Sequence, residues 1–277
     1  MDNFLSIVQR ALEVTPIRGK GRLAGLVLNG KESEVACHPL HGLTIRLNPK
    51  QRIERLMWAG AYEPRLVRML KSCLRPGMFF LDLGANIGYF SAIAAALVGP
   101  EGRVFAFEPS PVCFPRLQQN LCNFRHAVSY DLAASDQKGR SWFYLHAQES
   151  GWGSLFSDPD LSERIQVNTI RLDDWMRDAS IHRLDFLKID IEGGEYAALL
   201  GAESLLRRFR PVVIAELNSI CLARNQRTPE DVLRFLRELG YICERTGDGL
   251  IARPDAILPP SDENPGPRVP KSITGTT

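Results

Sequence analysis

Five short stretches of strand character alternate with helical stretches through the middle of the chain. No other feature limits the fold as strongly. The first, Met78-Phe79-Phe80-Leu81-Asp82-Leu83-Gly84, is apolar but for Asp82, the mark of a strand covered on both faces. It passes through Gly84 and Gly88 into an alanine-rich helical stretch ending near Ala96. Further strands are expected at Arg103–Pro109, Ala127–Ser135, Leu184–Asp190 and Pro211–Asn218. Phe114, Leu117, Leu121 and Phe124 recur at helical spacing, as do Ala202, Leu205, Leu206 and Phe209. Thr228-Pro229-Glu230-Asp231 is a helix start whose Val232, Phe235, Leu236 and Leu239 face inward. Tyr241–Pro254 reads as a closing antiparallel hairpin turning at Gly247 to Gly249. The expected fold is therefore α/β: a doubly wound, mostly parallel seven-stranded sheet with helices on both faces and an antiparallel last strand.

Three segments stand apart from this rhythm. Residues 1–52 read as an N-terminal extension of a helix and short strands, and residues 53–252 as the main domain. Within it, an insertion at about 141–175 looks like two strands flanking a polar loop. It either overhangs the ligand crevice or serves as a scaffold hairpin. Residues 253–277 hold six of the eighteen prolines and read as a flexible tail.

A net charge of +2 is too mild to announce a nucleic-acid or membrane partner, and neither is expected. The only dense cationic run, Arg207, Arg208 and Arg210, suits a helix end. Six cysteines without a CxxC pair suggest buried thiols in a reducing compartment. With neither a signal peptide nor a membrane-length apolar run in sight, a cytoplasmic location is expected. Cys37, His38 and His41 lack a second ligand pair and read as a structural turn.

Asp82-x-Gly84-x-x-x-Gly88 falls at the carboxyl end of the first strand, where open α/β sheets bind ligands. Ala85 and Asn86 stand where a pyrophosphate loop wants glycine. An acid ahead of such a loop suits a cationic ligand without phosphates, and S-adenosylmethionine fits. Glu108, before Pro109 at the end of the second strand, is placed for the ribose hydroxyls. Asp131, at the end of the third, is placed for the adenine amino group.

These residues carry a resemblance. The runs "YEPRLVRMLKSCLRPGMFFLDLGANIGYFS", "FEPSP", "IRLDDW", "LDFLKIDIEGGEYAALLGAESLL" and "PVVIAEL" occur in order from Tyr62 to Asn218. Together they resemble the FkbM family of S-adenosylmethionine-dependent methyltransferases, with the Rossmann-like class I fold. The resemblance implies O-methylation of a hydroxyl on a small metabolite, natural-product scaffold or sugar. Tyr62-Glu63 is similar to a Tyr-Glu pair of the family, which implies a cover for the cofactor, while Glu63 immediately before Pro64 also reads as a helix-start acid. The cofactor set is then Glu63, Asp82, Gly84, Ala85, Asn86, Gly88, Tyr89, Glu108, Pro109, Ser110, Asp131, Leu132 and Asp190.

Methylating an alcohol requires a base or a metal ion. Lys188, Asp190 and Glu192 cluster at the end of the fourth strand, and His146 lies in the insertion; these are the catalytic candidates. Asp190, Glu216 and Asn218 converge at two adjacent strand ends and form a candidate Mg²⁺ site. That set is similar to the metal site of catechol-type methyltransferases, with Glu in place of an aspartate and one residue intervening before Asn218. Metal-assisted and metal-free mechanisms both stand open here, as does a role for the acids in loop hydrogen bonding alone. Trp152, Ser154 and Glu192 are the candidate substrate contacts. An RNA methyltransferase and a noncatalytic binding protein are the alternative functions, and association into a homo-oligomer is open.

Overall fold

The computed structural model describes residues 2–15, 19–146, 153–156 and 161–255. It begins with α1 (Asp2–Val14), α2 (Lys20–Val27), the hairpin β1 (Val35–Cys37) and β2 (Ile45–Leu47), α3 (Arg52–Trp58) and α4 (Pro64–Cys73). The alternating region follows as β3 (Phe79–Leu83), α5 (Tyr89–Val98), β4 (Arg103–Phe107), α6 (Phe114–Leu121) and β5 (Ala127–Tyr130). Next come β6 (Ala133–Ala134), β7 (Gly139–His146), β8 (Gly153–Ser154), β9 (Leu161–Ile170) and α7 (Leu172–Asp178). The last part is β10 (Phe186–Ile189), α8 (Glu195–Leu200), α9 (Glu203–Phe209), β11 (Val212–Glu216), α10 (Ser219–Arg224), α11 (Pro229–Glu238), β12 (Tyr241–Thr246) and β13 (Gly249–Pro254).

The main sheet has the order β12-β13-β11-β10-β3-β4-β5. Strands β11, β10, β3, β4 and β5 are mutually parallel, and β13 runs antiparallel between β11 and β12. This is the seven-stranded doubly wound sheet read from the sequence. From β3 the chain proceeds outward to β4 on one side, and returns later to β10 on the other. The gap at the carboxyl ends of β3 and β10 is thus the topological switch point, where such sheets place their ligands.

Alternation along the strands feeds two cores. Phe80, Phe186 and Ile214 point to one face, against α5 and the N-terminal elements. Leu81, Leu83, Leu187, Ile189 and Val213 point to the other, against α7, α8, α9 and α11. The N-terminal segment packs on the first face through the buried Leu12, Ala24, Leu28, Ile45 and Leu47. A bidentate Arg116–Glu54 pair, with nitrogen–oxygen distances of 2.6 and 2.7 Å, ties α6 to α3.

Two elements differ from the expectation. The third strand stops at Tyr130, because Ala133 and Ala134 spend their backbone groups pairing with Thr169 and Ile170 of β9 in a second sheet. That sheet, β6-β9-β7-β8, is the insertion. It ends before Trp175, which sits in α7 and packs edge-on to Phe105, Phe107 and Tyr130 in the core. Among the described residues no helix is long and apolar enough to cross a membrane. Strand β13 runs to Pro254; residues 256–277, most of the segment read as a tail, lie outside the described residues.

Candidate functional site

At the switch point the turn after β3 is held in a shape only glycine tolerates. Gly84 has φ +75°, and a Cβ there would fall 1.8 Å from the Asp190 carbonyl oxygen. The ends of β3 and β10 therefore touch through bare backbone. Beyond it lies a cavity of about 240 Å³, room for a metabolite-sized ligand and not for a folded partner. Gly84, Ala85, Asn86, Tyr89, Glu108, Pro109 and Leu132 of the expected cofactor set line it, with Glu63 and Asp190. Among the described residues six non-glycines have positive φ, and three of them, Glu63, Asn86 and Glu192, face this cavity. Such strained residues concentrate at working sites.

Glu108 is buried, and its two carboxylate oxygens accept from Asn86 N–H (2.8 Å) and Ser110 N–H (2.9 Å). Burial pushes its pKa up to about 7, against the pull of those two bonds. Ser110 is buried and shapes the turn, its hydroxyl accepting from Val112 and Cys113 N–H. Gly88 caps α5 with φ +85°.

Asp82 corrects the expectation. It is fully buried, is not part of the cavity wall, accepts from Ser91 Oγ at 2.6 Å and pairs with Lys188 Nζ at 3.1 Å. Asp82 and Lys188 are cross-strand neighbours on β3 and β10. Lys188 also lies 3.5 Å from Asp190 Oδ2. Burial opposes its charge, yet the two carboxylates hold its pKa above the usual lysine range. A proton acceptor it is not: Lys188 is a fixed positive charge beneath the site.

Four carboxylates, Glu63, Asp190, Glu192 and Glu216, line the cavity. Glu216, although its side chain reaches solvent, is pushed up to about 8, first by the Asp190 carboxylate, then by burial, then by Glu192 and Glu63. Burial and then Asp190 raise Glu192, against the bond its Oε2 accepts from the Cys221 thiol at 3.2 Å. Tyr62 is raised first by burial and then by the same four acids. The carboxylates facing the cavity thus hinder one another's ionisation, and Lys188 offsets them only in part.

The Mg²⁺ expectation does not fit these residues. The Asn218 side-chain oxygen caps α10, accepting from Ile220 N–H (3.0 Å) and Cys221 N–H (3.3 Å), so both its lone pairs are taken. Among the described residues no three His, Cys, Asp or Glu side chains are grouped to hold a metal. Of the three expected ligands only Asp190 and Glu216 are left with carboxylates facing the cavity.

Other expected residues lie elsewhere. Asp131 is exposed, outside the cavity wall, on the turn that leaves the edge strand β5. Ser154 is buried, and its hydroxyl donates to the Glu192 carbonyl at 2.7 Å, fastening the insertion to the acid loop. Trp152 and the side chain of His146, which ends β7, lie outside the described residues. Sequence reasoning missed Ile53 and Met57 of α3 and Phe143 and Leu155 of the insertion, all in the cavity wall. The i, i+4 spacing of Ile53 and Met57 was the one available signal. Phe143 and Leu155 put the insertion in the cavity wall.

The family model described as the methyltransferase FkbM domain matches residues 82–243. The chain is 32% identical over 210 residues to the 31-O-demethyl-FK506 methyltransferase FkbM of Streptomyces tacrolimicus, covering 65% of this chain and 78% of that one. It is 28% identical over 197 residues to the 2-O-methyltransferase NoeI of Sinorhizobium fredii, covering 64% and 79%. It is 25% identical over 187 residues to the hexuronic acid methyltransferase AglP of Haloferax volcanii, covering 66% and 72%. A solved FkbM methyltransferase from Methylobacillus flagellatus overlaps 72% of this chain and 54% of its own, at 17% identity and a TM-score of 0.43.

Proposed function

The chain belongs to the FkbM family of methyltransferases, and from that premise we propose that it transfers a methyl group from S-adenosylmethionine to a hydroxyl oxygen of a small metabolite, natural-product scaffold or sugar. One observation carries the choice of donor: the carboxylates around the cavity raise one another, with Glu216 near 8, and Lys188, the one buried lysine among the described residues, is already shared between Asp82 and Asp190. A cation relieves that crowding, and a sulfonium donor with an ammonium group brings two positive centres.

In this reading the Gly84-Ala85-Asn86 turn receives the donor, and Glu108 accepts from its ribose hydroxyls. Each Glu108 oxygen already takes one backbone N–H, which fixes the carboxylate for that task. Glu63 and Tyr62 close the near side. The bound donor supplies an electrophilic methyl carbon on a positively charged sulfur.

Asp190 and Lys188 fix the charge at the end of β10. Glu192 is the proton acceptor for the acceptor hydroxyl. Its carboxylate is more basic than usual, is aimed by the Cys221 thiol, and belongs to a residue with φ +53°. Burial, followed by Glu192, pushes the Cys221 thiol up to about 12, so it stays a neutral donor. The names of two relatives, a 2-O-methyltransferase and a 31-O-demethyl-FK506 methyltransferase, support an oxygen acceptor.

The test is labelled methyl transfer from S-adenosylmethionine into pooled metabolites, with calorimetry of S-adenosylhomocysteine binding alongside. Glu192→Gln and Asp190→Asn should each keep binding while losing most turnover. Unimpaired turnover in Glu192→Gln removes it as the base.

A further inference from the structure

On the far side of α3 from the cavity lies an open groove walled by Lys20, Arg22, Arg52, Arg55 and Arg68, with Gly60, Ala61 and Pro64. Five cations and, among the described residues, no carboxylate line it. Some surface arginines elsewhere are matched to acids, as in Arg177–Asp174, Arg207–Glu203 and Arg237–Glu230. Arg22 and Arg68 are exposed, and among the described residues neither has a carboxylate within ion-pair distance. Arg55 donates to the Pro49 and Lys50 carbonyls, which braces it at the groove wall.

The groove and the active cavity share their dividing wall. Ile53 and Met57 of α3 face the cavity, while Arg52, Arg55 and Leu56 face the groove. Tyr62 and Glu63 face the cavity, while Gly60, Ala61 and Pro64 face the groove. Glu63 of the cavity wall and Pro64 of the groove wall also line a third surface hollow together. The separation is about one helix diameter, roughly 10 Å.

We propose that this groove binds a phosphoryl group carried by the methyl acceptor, so that the acceptor's hydroxyl enters the acid-lined cavity while its phosphoryl group rests on Arg22 and Arg68. The inference rests on the methyltransferase reading above and names the substrate class: a phosphorylated small molecule. Several cations suit the two or more charges of a phosphoryl or diphosphoryl group better than a single carboxylate, and guanidinium groups match its oxygens in pairs. The acid-lined cavity repels such a group, which orients the acceptor with its neutral hydroxyl inward.

The test begins with calorimetric titration of pyrophosphate into the full chain at low salt, where exposed charges are least screened. Saturable binding is expected, weakened at least about tenfold in Arg22→Ala/Arg68→Ala and to an intermediate degree in Arg22→Lys/Arg68→Lys, which keeps the charge but loses the paired hydrogen bonds. S-adenosylhomocysteine should bind all three proteins equally. No pyrophosphate binding by the wild-type chain, or equal binding by the alanine variant, overturns the groove as a phosphoryl site. Labelled methyl transfer into a metabolite extract, with and without prior alkaline phosphatase, then identifies the source of the phosphoryl group. Label should enter phosphorylated small molecules and be lost after phosphatase treatment. Label indifferent to phosphatase, or label entering RNA, overturns the substrate class. Failure of the wild-type chain to bind S-adenosylhomocysteine would defeat the donor reading instead, and would show separately from the pyrophosphate result.

Discussion

Replacing Glu195 by glutamine should remove a pH dependence built into the acid loop. Glu195 is 2% exposed. Its Oε1 accepts from Ile191 N–H at 3.2 Å and Gly193 N–H at 3.1 Å, the two amides flanking Glu192. Among the described residues its buried Oε2 has no partner. Burial outweighs those bonds and pushes the pKa up to about 7, from an ordinary 4.5. Below pH 4.5 the folded and unfolded chains both hold the proton. Between 4.5 and 7 the unfolded chain gives it up first, so stability falls as pH rises. Above 7 both are ionised and the loss is complete. A gap of roughly 2.5 pH units at about 1.4 kcal/mol each comes to about 3 kcal/mol. Glutamine keeps the oxygen that serves the two amides but has no proton to lose, and any fixed cost of its buried amide is the same at every pH. Urea unfolding of both proteins from pH 4.5 to 8 should therefore show the difference moving in the variant's favour by about 3 kcal/mol. Glu108, also near 7, leaves a common slope in both proteins. A constant difference across that range would refute the reasoning.

Three further substitutions probe the same architecture. Gly84→Ala forces a left-handed alanine against the Asp190 carbonyl and should cost roughly 2–5 kcal/mol of stability, with loss of S-adenosylhomocysteine binding in calorimetry. Lys188→Met leaves Asp82 buried without its ammonium partner and should cost about 3–5 kcal/mol in urea unfolding, more than any exposed lysine change. Ser154→Ala frees the Glu192 carbonyl from the insertion. It should cost about 1 kcal/mol and lower turnover while donor binding is kept, as paired calorimetry and methyl-transfer assays would show.

The sheet was readable because its central strands β3, β4, β10 and β11 are largely buried, and each announces itself as an apolar run ending in a glycine, proline or acid. The convergence of Asp190 and Glu216 was readable for the same reason, since β10 and β11 are neighbours with their ends aligned. Asp82 was misplaced because an acid at a strand end looks alike whether it meets a ligand or a lysine. Its partner Lys188 is 106 residues away and becomes its neighbour only through the β3–β10 register. Asn218 looked like a metal ligand until the start of α10 claimed its oxygen for capping. Asp131 falls outside the cavity wall because the chain leaves the main sheet early, and the cause is a pairing with β9, almost forty residues on. The basic groove drew no attention in a chain of near-neutral charge because its cations come from three separate segments, none of them dense in charge.

The most direct test is calorimetric titration of S-adenosylmethionine into the protein at pH 7 in two buffers of different ionisation enthalpy. Glu216, held near 8 by its acidic neighbours, carries its proton in the free protein and should give it up when a cation enters. Binding accompanied by release on the order of one proton per donor is the predicted result. No affinity for the donor, or binding without proton release, would contradict the account of an acid-lined cavity shaped for a positive methyl donor.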